Sequence, residues 1–357
     1  MRLELEQIKG LRQTLELVAS QPGVPGSVFV GIRPGKGVTS FLLTSVLSAE
    51  YRVKGELSDK VMAVDRRLLF PFLDSLTDAC EFSIDGESLK LKSGKRKADL
   101  RLVTPNWSYQ TVNVSQFNKY PLPEIFMKTM VHVRSCASDD PVLPEVNCVH
   151  VEFSSRSFLF STNDLILCSA VGSDKKVGVK EAAWAVPTPI IDAIQKLSCS
   201  EILVHGQTFA IKTSGGLVWG SAPDKAWKEF PKDRIKKLIV GMRKTPMLLS
   251  LKASVLSDLC QQFTKYLSHI PKEEWMIHLK VVSKTVGEIY SKSAYAEFRD
   301  EVPIKAASTG EVEVNLALIG SVFLATDPAS IISISQAKDS VCYVQTNRGE
   351  FLISQRA

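Results

Sequence analysis

The stretch from Val61 to Val103, VMAVDRRLLFPFLDSLTDACEFSIDGESLKLKSGKRKADLRLV, decides the fold, because its pattern returns twice more in the chain. It opens with a short apolar strand, continues through an amphipathic helix, and closes with two alternating strands around a Ser93-Gly94 turn. The same order runs from Ala183 to Ser221, with Ser214-Gly215 at the turn, and from Glu311 to Ser354, with Asn347-Arg348-Gly349 there. Val64, Val186 and Val314 end the leading strands, at spacings of 122 and 128 residues. A period of that size is a domain and not a solenoid turn.

Each copy follows an earlier helix with its own apolar stripe. Leu5, Ile8, Leu15 and Val18 form the first stripe, Ile125, Phe126, Met130 and Val133 the second, and Leu256, Leu259, Phe263 and Leu267 the third. Between the helices lie alternating segments such as Val149-His150-Val151-Glu152-Phe153 and Trp275-Met276-Ile277-His278-Leu279. The sequence therefore predicts an α+β protein of three repeated domains, each an antiparallel sheet with two helices, over residues 1–112, 113–243 and 244–357. Linkers are expected near Pro105 to Pro121 and Gly241 to Pro246, where proline, glycine and polar residues gather.

Composition excludes several classes. Hydrophobic residues make up 45% and charged residues 23%, the profile of a soluble globular chain and not of a disordered one. The seven cysteines (Cys80, Cys136, Cys148, Cys168, Cys199, Cys260, Cys342) include no C-x-x-C pair, so reduced thiols are expected. The acidic start Met1-Arg-Leu-Glu-Leu-Glu lacks the pattern of a signal peptide, and no apolar run approaches the roughly 20 residues of a membrane span. The expectation is a cytoplasmic protein with no membrane partner. A net charge of +6 permits contact with a polyanion without demanding it.

No reaction centre stands out. Gly31-Ile-Arg-Pro-Gly-Lys-Gly37 misses the spacing of a phosphate-binding loop and lacks the following Ser or Thr, so a hairpin turn is expected. His132, His150, His205, His269 and His278 form no metal-binding pattern, and Asp139-Asp140 before Pro141 suits a turn. Neither a nucleophile elbow nor a Cys-His cluster is present. No cofactor and no enzymatic activity are expected.

With the threefold repeat in view, the chain resembles the bacterial β sliding clamp family, the β subunit of DNA polymerase III. The sharpest resemblance lies in the segment from Asp139 to Phe153 and in Phe158-Leu-Phe-Ser-Thr-Asn-Asp-Leu-Ile-Leu-Cys-Ser-Ala170. There Ser161 to Cys168 aligns without a gap with the family's A-T-D-G-H-R-L-A stretch, sharing Thr162 and Leu167. Leu89-Lys-Leu-Lys-Ser-Gly94 and Phe230-Pro231 also look like family patterns. The divergence suits a distant or phage-encoded member.

The resemblance implies a homodimeric ring in which each chain forms one half and inner helices face double-stranded DNA. Cations that would meet phosphates there are Lys9, Arg12, Arg66, Arg67, Lys128, Arg134, Lys196, Lys252 and Lys265, while the last helix, Asn315 to Thr326, offers none. For any one of them a solvated surface charge is the competing reading. The seam is expected to join Leu100 and Leu102 to Phe263, Tyr266 and Leu267. A partner-peptide groove for a DNA polymerase and an ATP-driven clamp loader would use Thr162, Leu165, Leu167, Val240, Phe351, Ile353, Ser354 and Arg356, with core packing as the alternative for the leucines. Where the family ends in M-P-x-R-L this chain ends Ile353-Ser-Gln-Arg-Ala357, which reshapes the groove. Two other functions stay open: a clamp-fold protein for repair or sequestration of a host factor, and an enzyme whose repeated domains enclose a small-molecule pocket.

Overall fold

The computed structural model describes residues 1–18, 25–140, 142–154, 157–163, 165–173, 179, 183–292, 297–323, 326–335, 341–347 and 349–354. One short pattern, strand then helix then three strands, generates nearly all of it. Its first instance is β1 (Arg2–Leu3), α1 (Leu5–Glu16), the single turn α2 (Pro25–Val28), β2 (Phe29–Gly35), β3 (Val38–Thr44) and β4 (Ser48–Lys54). The second is β5 (Met62–Asp65), α3 (Arg66–Asp74), β6 (Cys80–Asp85), β7 (Ser88–Ser93) and β8 (Arg96–Val103). The third and fourth are β9 (Asn118–Pro121), α4 (Glu124–Arg134), β10 (Cys148–Phe153), β11 (Ser157–Thr162), β12 (Ile166–Ser173), and β13 (Ala183–Pro187), α5 (Thr188–Leu197), β14 (Glu201–His205), β15 (Thr208–Lys212), β16 (Gly216–Ser221). After the connecting helices α6 (Asp224–Lys228) and α7 (Lys232–Met242) comes the fifth: β17 (Met247–Lys252), α8 (Ala253–Leu267), β18 (Met276–Val281), β19 (Val286–Lys292), β20 (Glu297–Pro303) and the short β21 (Lys305–Ala306). The sixth is β22 (Glu311–Asn315), α9 (Leu316–Phe323), β23 (Ile331–Ser335), β24 (Val341–Gln345) and β25 (Gly349–Ser354).

Each sequence repeat is thus itself a doubled motif, and the pairing obeys the doubling. β1, β9 and β17 pair with β6, β14 and β23; β2, β10 and β18 pair with β5, β13 and β22, all antiparallel.

Residues 1–121 with 192–221 form one compact unit and residues 122–191 with 222–357 another. The first holds a sheet of the order β1-β6-β7-β8-β5-β2-β3-β4-β16-β15-β14-β9. The second holds β13-β10-β11-β12-β25-β24-β23-β17-β21 and a separate sheet β20-β19-β18-β22. These units cut across the sequence repeats because β4 hydrogen-bonds to β16 and β12 to β25, merging strands from neighbouring copies.

Local chemistry explains the elements. Glu4 and Gln7 form a reciprocal capping box on α1, and Asp65 caps α3 by accepting the Arg67 N–H at 2.8 Å. The buried residues Leu69, Phe70 and Leu73 share one face of α3. The β7–β8 turn needs Gly94 at φ 57°, a conformation that costs other residues their Cβ clearance. The Gly31 to Gly37 motif is the β2–β3 hairpin, as its spacing predicts.

Two expectations change. The Pro105 to Pro121 segment is tied down: Trp107 packs on Phe29, Tyr109 donates to the Phe29 carbonyl at 3.0 Å, and Asn118 to Pro121 is β9. Gly31 is required there, since a Cβ would lie 2.5 Å from the Tyr109 ring. Ile125, assigned to the apolar stripe of α4, is 50% exposed, because Phe126, Met130 and Val133 at i, i+4 and i+7 are the residues that face the sheet.

Candidate functional site

The β12–β25 ladder lays out a candidate site in the second unit. Leu167 pairs with Leu352 and Ser169 with Glu350, whereas Ile166 pairs with Ile353 and Cys168 with Phe351. Side chains alternate across a strand, so Leu167, Ser169, Glu350 and Leu352 share one face and Ile166, Cys168, Phe351 and Ile353 the other. The first face receives α7, whose Ile235 and Ile239 cluster with Phe160, Phe230, Tyr343 and Leu352, and Leu167 packs at the margin. The second lies under α4, where the His132 ring meets Phe351 edge-on at 5.2 Å.

Beside α7 the first face opens into two adjoining hollows of about 350 and 580 Å³. Phe158, Ser169, Arg243 and Glu350 line both, so they are one trough. Phe160, Ile239 and Val240 give one end an apolar lining, and Tyr343 and Asn347 line the other. Two ion pairs clasp it. Arg243 donates to Glu350 twice, at 2.7 and 2.6 Å, and Lys236 reaches Glu152 at 2.5 Å. Burial pushes both carboxyls up, but Arg243 with the Tyr343 hydroxyl, and Lys236 with Lys232, outweigh it and hold them below the ordinary range. His150 stacks on Phe230 at 4.9 Å, and burial followed by the nearby Lys232 pushes it down to about 4. It is a neutral packing residue at pH 7.

This ladder sorts the residues expected to form a groove. Thr162 pairs with Leu167 and is fully buried; Leu165 is half-buried in the turn where Asn163 accepts the N–H groups of Leu165 and Ile166; Val240 is 53% exposed. Phe351 and Ile353, both 0% exposed, lie on the opposite face from Leu167 and line no part of the trough. The β25 residues that share the Leu167 face are Leu352, which the expected set lacked, and Ser354, which it contained. Arg356 lies outside the described residues, as do Asp164 and Arg348. Sequence reading also missed α7, treating only Gly241 to Pro246 as linker. Ile235, Ile239 and Met242, at i, i+4 and i+7, were the available signal.

The nine candidate cations fall into three groups. Arg12 is 18% exposed, spans from Glu16 to Asp74 and lies over the Phe70 ring at 4.2 Å, so it clamps α1 to α3. Arg66 lies over the same ring at 5.7 Å, and Arg134 is bound to Asp139 at 2.7 Å. Lys9, Arg67 and Lys128 are exposed but paired with Glu6, Asp65 and Glu124. Exposed pairs of this kind exchange readily with other anions. Among the described residues Lys196, Lys252 and Lys265 have no ion pair and are exposed.

Among the last strands of the six motifs, β8 and β20 keep a free edge in the described residues. β8 pairs with β7 along its length but meets β5 only at Leu102 and Val103, leaving the Arg96 to Arg101 edge unpaired on that side. β20 pairs with β19 and ends its sheet. Of the expected seam residues, Leu102, Phe263 and Leu267 are buried in their own units, whereas Leu100 is half-buried and Tyr266 is exposed, stacked on Phe298 of β20 at 4.4 Å.

No protein-family model and no curated protein matches the sequence. Solved structures do match over nearly the whole length. The DNA polymerase III β subunit of Thermotoga maritima is 13% identical with a TM-score of 0.79, covering 99% of this chain and 98% of that one. The β subunit of Pseudomonas aeruginosa DNA polymerase III is 16% identical at 0.77, and a DNA polymerase sliding clamp from the same organism is 14% identical at 0.76, with equal coverage. The chain has the sliding-clamp fold.

Proposed function

We propose that this chain is a DNA sliding clamp, a non-catalytic processivity factor that closes around duplex DNA as a homodimer and tethers a polymerase. The observation that carries the reading is the bookkeeping of sheet edges. Among the six copies of the strand-helix-three-strand motif, the last strands of four are joined in pairs, β4 to β16 and β12 to β25. The last strands of the other two, β8 and β20, have no such partner over much of their outer edge. A second copy, turned head to tail, supplies the missing partner at each end, and pairing β8 with β20 twice closes the cycle.

Charge favours the match. β8 carries Arg96, Lys97 and Arg101 against Asp99, and β20 carries Glu297, Asp300 and Glu301 against Arg299. Ala98 and Leu100 on one face of β8 would meet Phe298 and Tyr266. The three domains, 1–112, 113–243 and 244–357, of two chains would then give six similar domains around the ring. Lys9, Arg67, Lys128, Lys196, Lys252 and Lys265 would make transient phosphate contacts, with Arg12, Arg66 and Arg134 supporting the helices instead. Retention would come from topology and not from affinity, so binding to open linear DNA should be weak and salt-sensitive. Thr162, Leu165, Leu167, Val240, Leu352 and Ser354 would border the site where a polymerase or a separate ATP-driven loader docks. The protein would act in the cytoplasm, on the DNA.

Two measurements test this. Light scattering in solution should give twice 39.4 kDa. Protein loaded on a nicked circle should remain there and run off once the circle is linearised. A monomer in the first assay, or equal retention on both forms in the second, would remove the clamp reading.

A further inference from the structure

The connector between β8 and β9 is an extended strap, and its composition sets it apart. Residues 104–118 hold no Asp, Glu, Lys, Arg or His, in a chain that is 23% charged. Trp107, Tyr109, Val112 and Val114 are half-buried, while Ser108, Gln110, Thr111 and Asn113 between them are exposed. The surface below is one face of the sheet of the first unit. Gly31, Leu42, Glu50 and Leu217 are successive register partners, so they form a row across β2, β3, β4 and β16. Trp107 and Tyr109 sit at the β2 end of this face, on Phe29 and Gly31. Val112, Val114 and Phe117 pack at the other end, on the cluster that holds Leu217 and Trp219. Beside Val114 and Leu217 the face keeps a hollow of about 220 Å³.

Side chains hold this strap, and backbone pairing does not. Among the described residues no backbone-to-backbone hydrogen bond involves residues 104–112. The polar ties there are the Tyr109 hydroxyl, donating to the Phe29 carbonyl at 3.0 Å, and Ser48, donating to Gln110 at 3.4 Å. A segment without ladder bonds opens at a free energy well below that of global unfolding. An extended chain presents alternate side chains to one side, so it can seat apolar anchors without pairing its backbone. The connector after β16 is the contrast: it folds into α6 and α7, carries charge, and buries Ile235 and Ile239 at helical spacing. We propose that this face of β2, β4 and β16 is a binding groove for an extended, uncharged peptide with aromatic and aliphatic anchors, and that residues 107–117 are its tethered ligand. The groove lies within the first unit and is independent of the docking reading above. Tethering gives the strap an effective concentration on the order of millimolar, so the intact chain excludes a weakly binding free peptide and a chain with weakened anchors admits it.

The test uses a fluorescein-labelled peptide of residues 106–118, followed by anisotropy against the full-length protein. In the combined Trp107→Ser, Tyr109→Ser and Val114→Ser variant the strap loses three anchors, and the peptide should bind about tenfold or more tightly than it binds the unaltered chain. A peptide carrying the same three serines should not bind. Adding Gly31→Ala to the variant sets a Cβ 2.5 Å from the place of the Tyr109 ring and should abolish binding. Tyr109→Ser alone, a milder release, should give the same ranking with a smaller gain, and it carries the comparison if the triple variant fails to fold by circular dichroism. Equal affinity for released and unaltered chains, binding of the serine peptide, or indifference to Gly31→Ala would each overturn the proposal. Unfolding of both released variants would overturn it too, since the strap would then be an inseparable part of the core.

Discussion

The closed junctions β4–β16 and β12–β25 and the open edges β8 and β20 are built from the same strand of the same motif, yet they are finished differently. At the closed junctions the strands are filled with buried residues: Ala49 and Tyr51 on β4, Val218 and Trp219 on β16, Cys168 on β12, Phe351 and Ile353 on β25. Even the buried carboxylate there, Glu50, is held by Arg33 at 2.8 Å and Arg52 at 3.0 Å. The open strands alternate charged and half-buried residues, of opposite net sign on the two. Permanent pairing within a chain can rely on apolar burial, whereas an edge that must stay soluble until a partner arrives needs charge.

The largest expected effect lies at a closed junction. Phe351→Ala removes a fully buried ring between β25 and α4 and should cost about 3–5 kcal/mol of unfolding free energy in urea titration. A loss below about 1 kcal/mol would show that the two faces of this ladder are not packed as described.

The opposite face gives a pH test. His150 sits near 4 when folded and near 6.5 when free, so the unfolded chain binds a proton that the folded chain refuses as the pH falls below 6.5. Stability should therefore drop through the window from 6.5 to 4, by about 3 kcal/mol in all, and change no further below it. His150→Phe keeps the stack on Phe230 and should flatten this part of the stability profile. An unchanged profile would place the acid sensitivity elsewhere. Glu152 and Glu350, whose carboxyls are depressed, add a separate loss that begins only near the unfolded carboxylate range and is completed as the pH passes through their lowered folded values.

At the open edges the effect is smaller and reads out as association. Glu297→Lys with Glu301→Lys should weaken dimerisation by about tenfold, roughly 1.4 kcal/mol, in sedimentation at 100 mM salt, and Lys97→Glu with Arg101→Glu in the partner should restore it. Failure of the restoring pair would break the proposed match between β8 and β20. The smallest change concerns the candidate DNA contacts. Lys128→Gln, losing an exposed pair with Glu124, should alter stability by less than about 0.5 kcal/mol and make the loss of DNA retention with salt only slightly shallower.

Much of this was legible in the sequence. Val64, Val186 and Val314 each stand one residue before the end of equivalent strands, and Ile8, Met130 and Phe263 are buried on the helices that precede them. The Gly31 to Gly37 hairpin and the Ser93-Gly94 turn follow from turn chemistry alone. The site was less legible. Val240 lines the trough and Leu167 packs on the same face, but Phe351 and Ile353 point to the other face, because a match of residue types does not say which side of the sheet a strand residue takes. Arg12 looked like a free cation on a helix face and is instead held by two carboxylates from different helices, which spacing along one helix cannot reveal.

The order of residues by itself determined the repeat, its period and the secondary structure within it, since hydrophobic periodicity and turn chemistry act over a few neighbours. Only the tertiary structure decided that β4 joins β16 and β12 joins β25, and so which strands are left over. Those pairings link residues more than 150 positions apart, and their register depends on how whole faces pack, which no local pattern encodes.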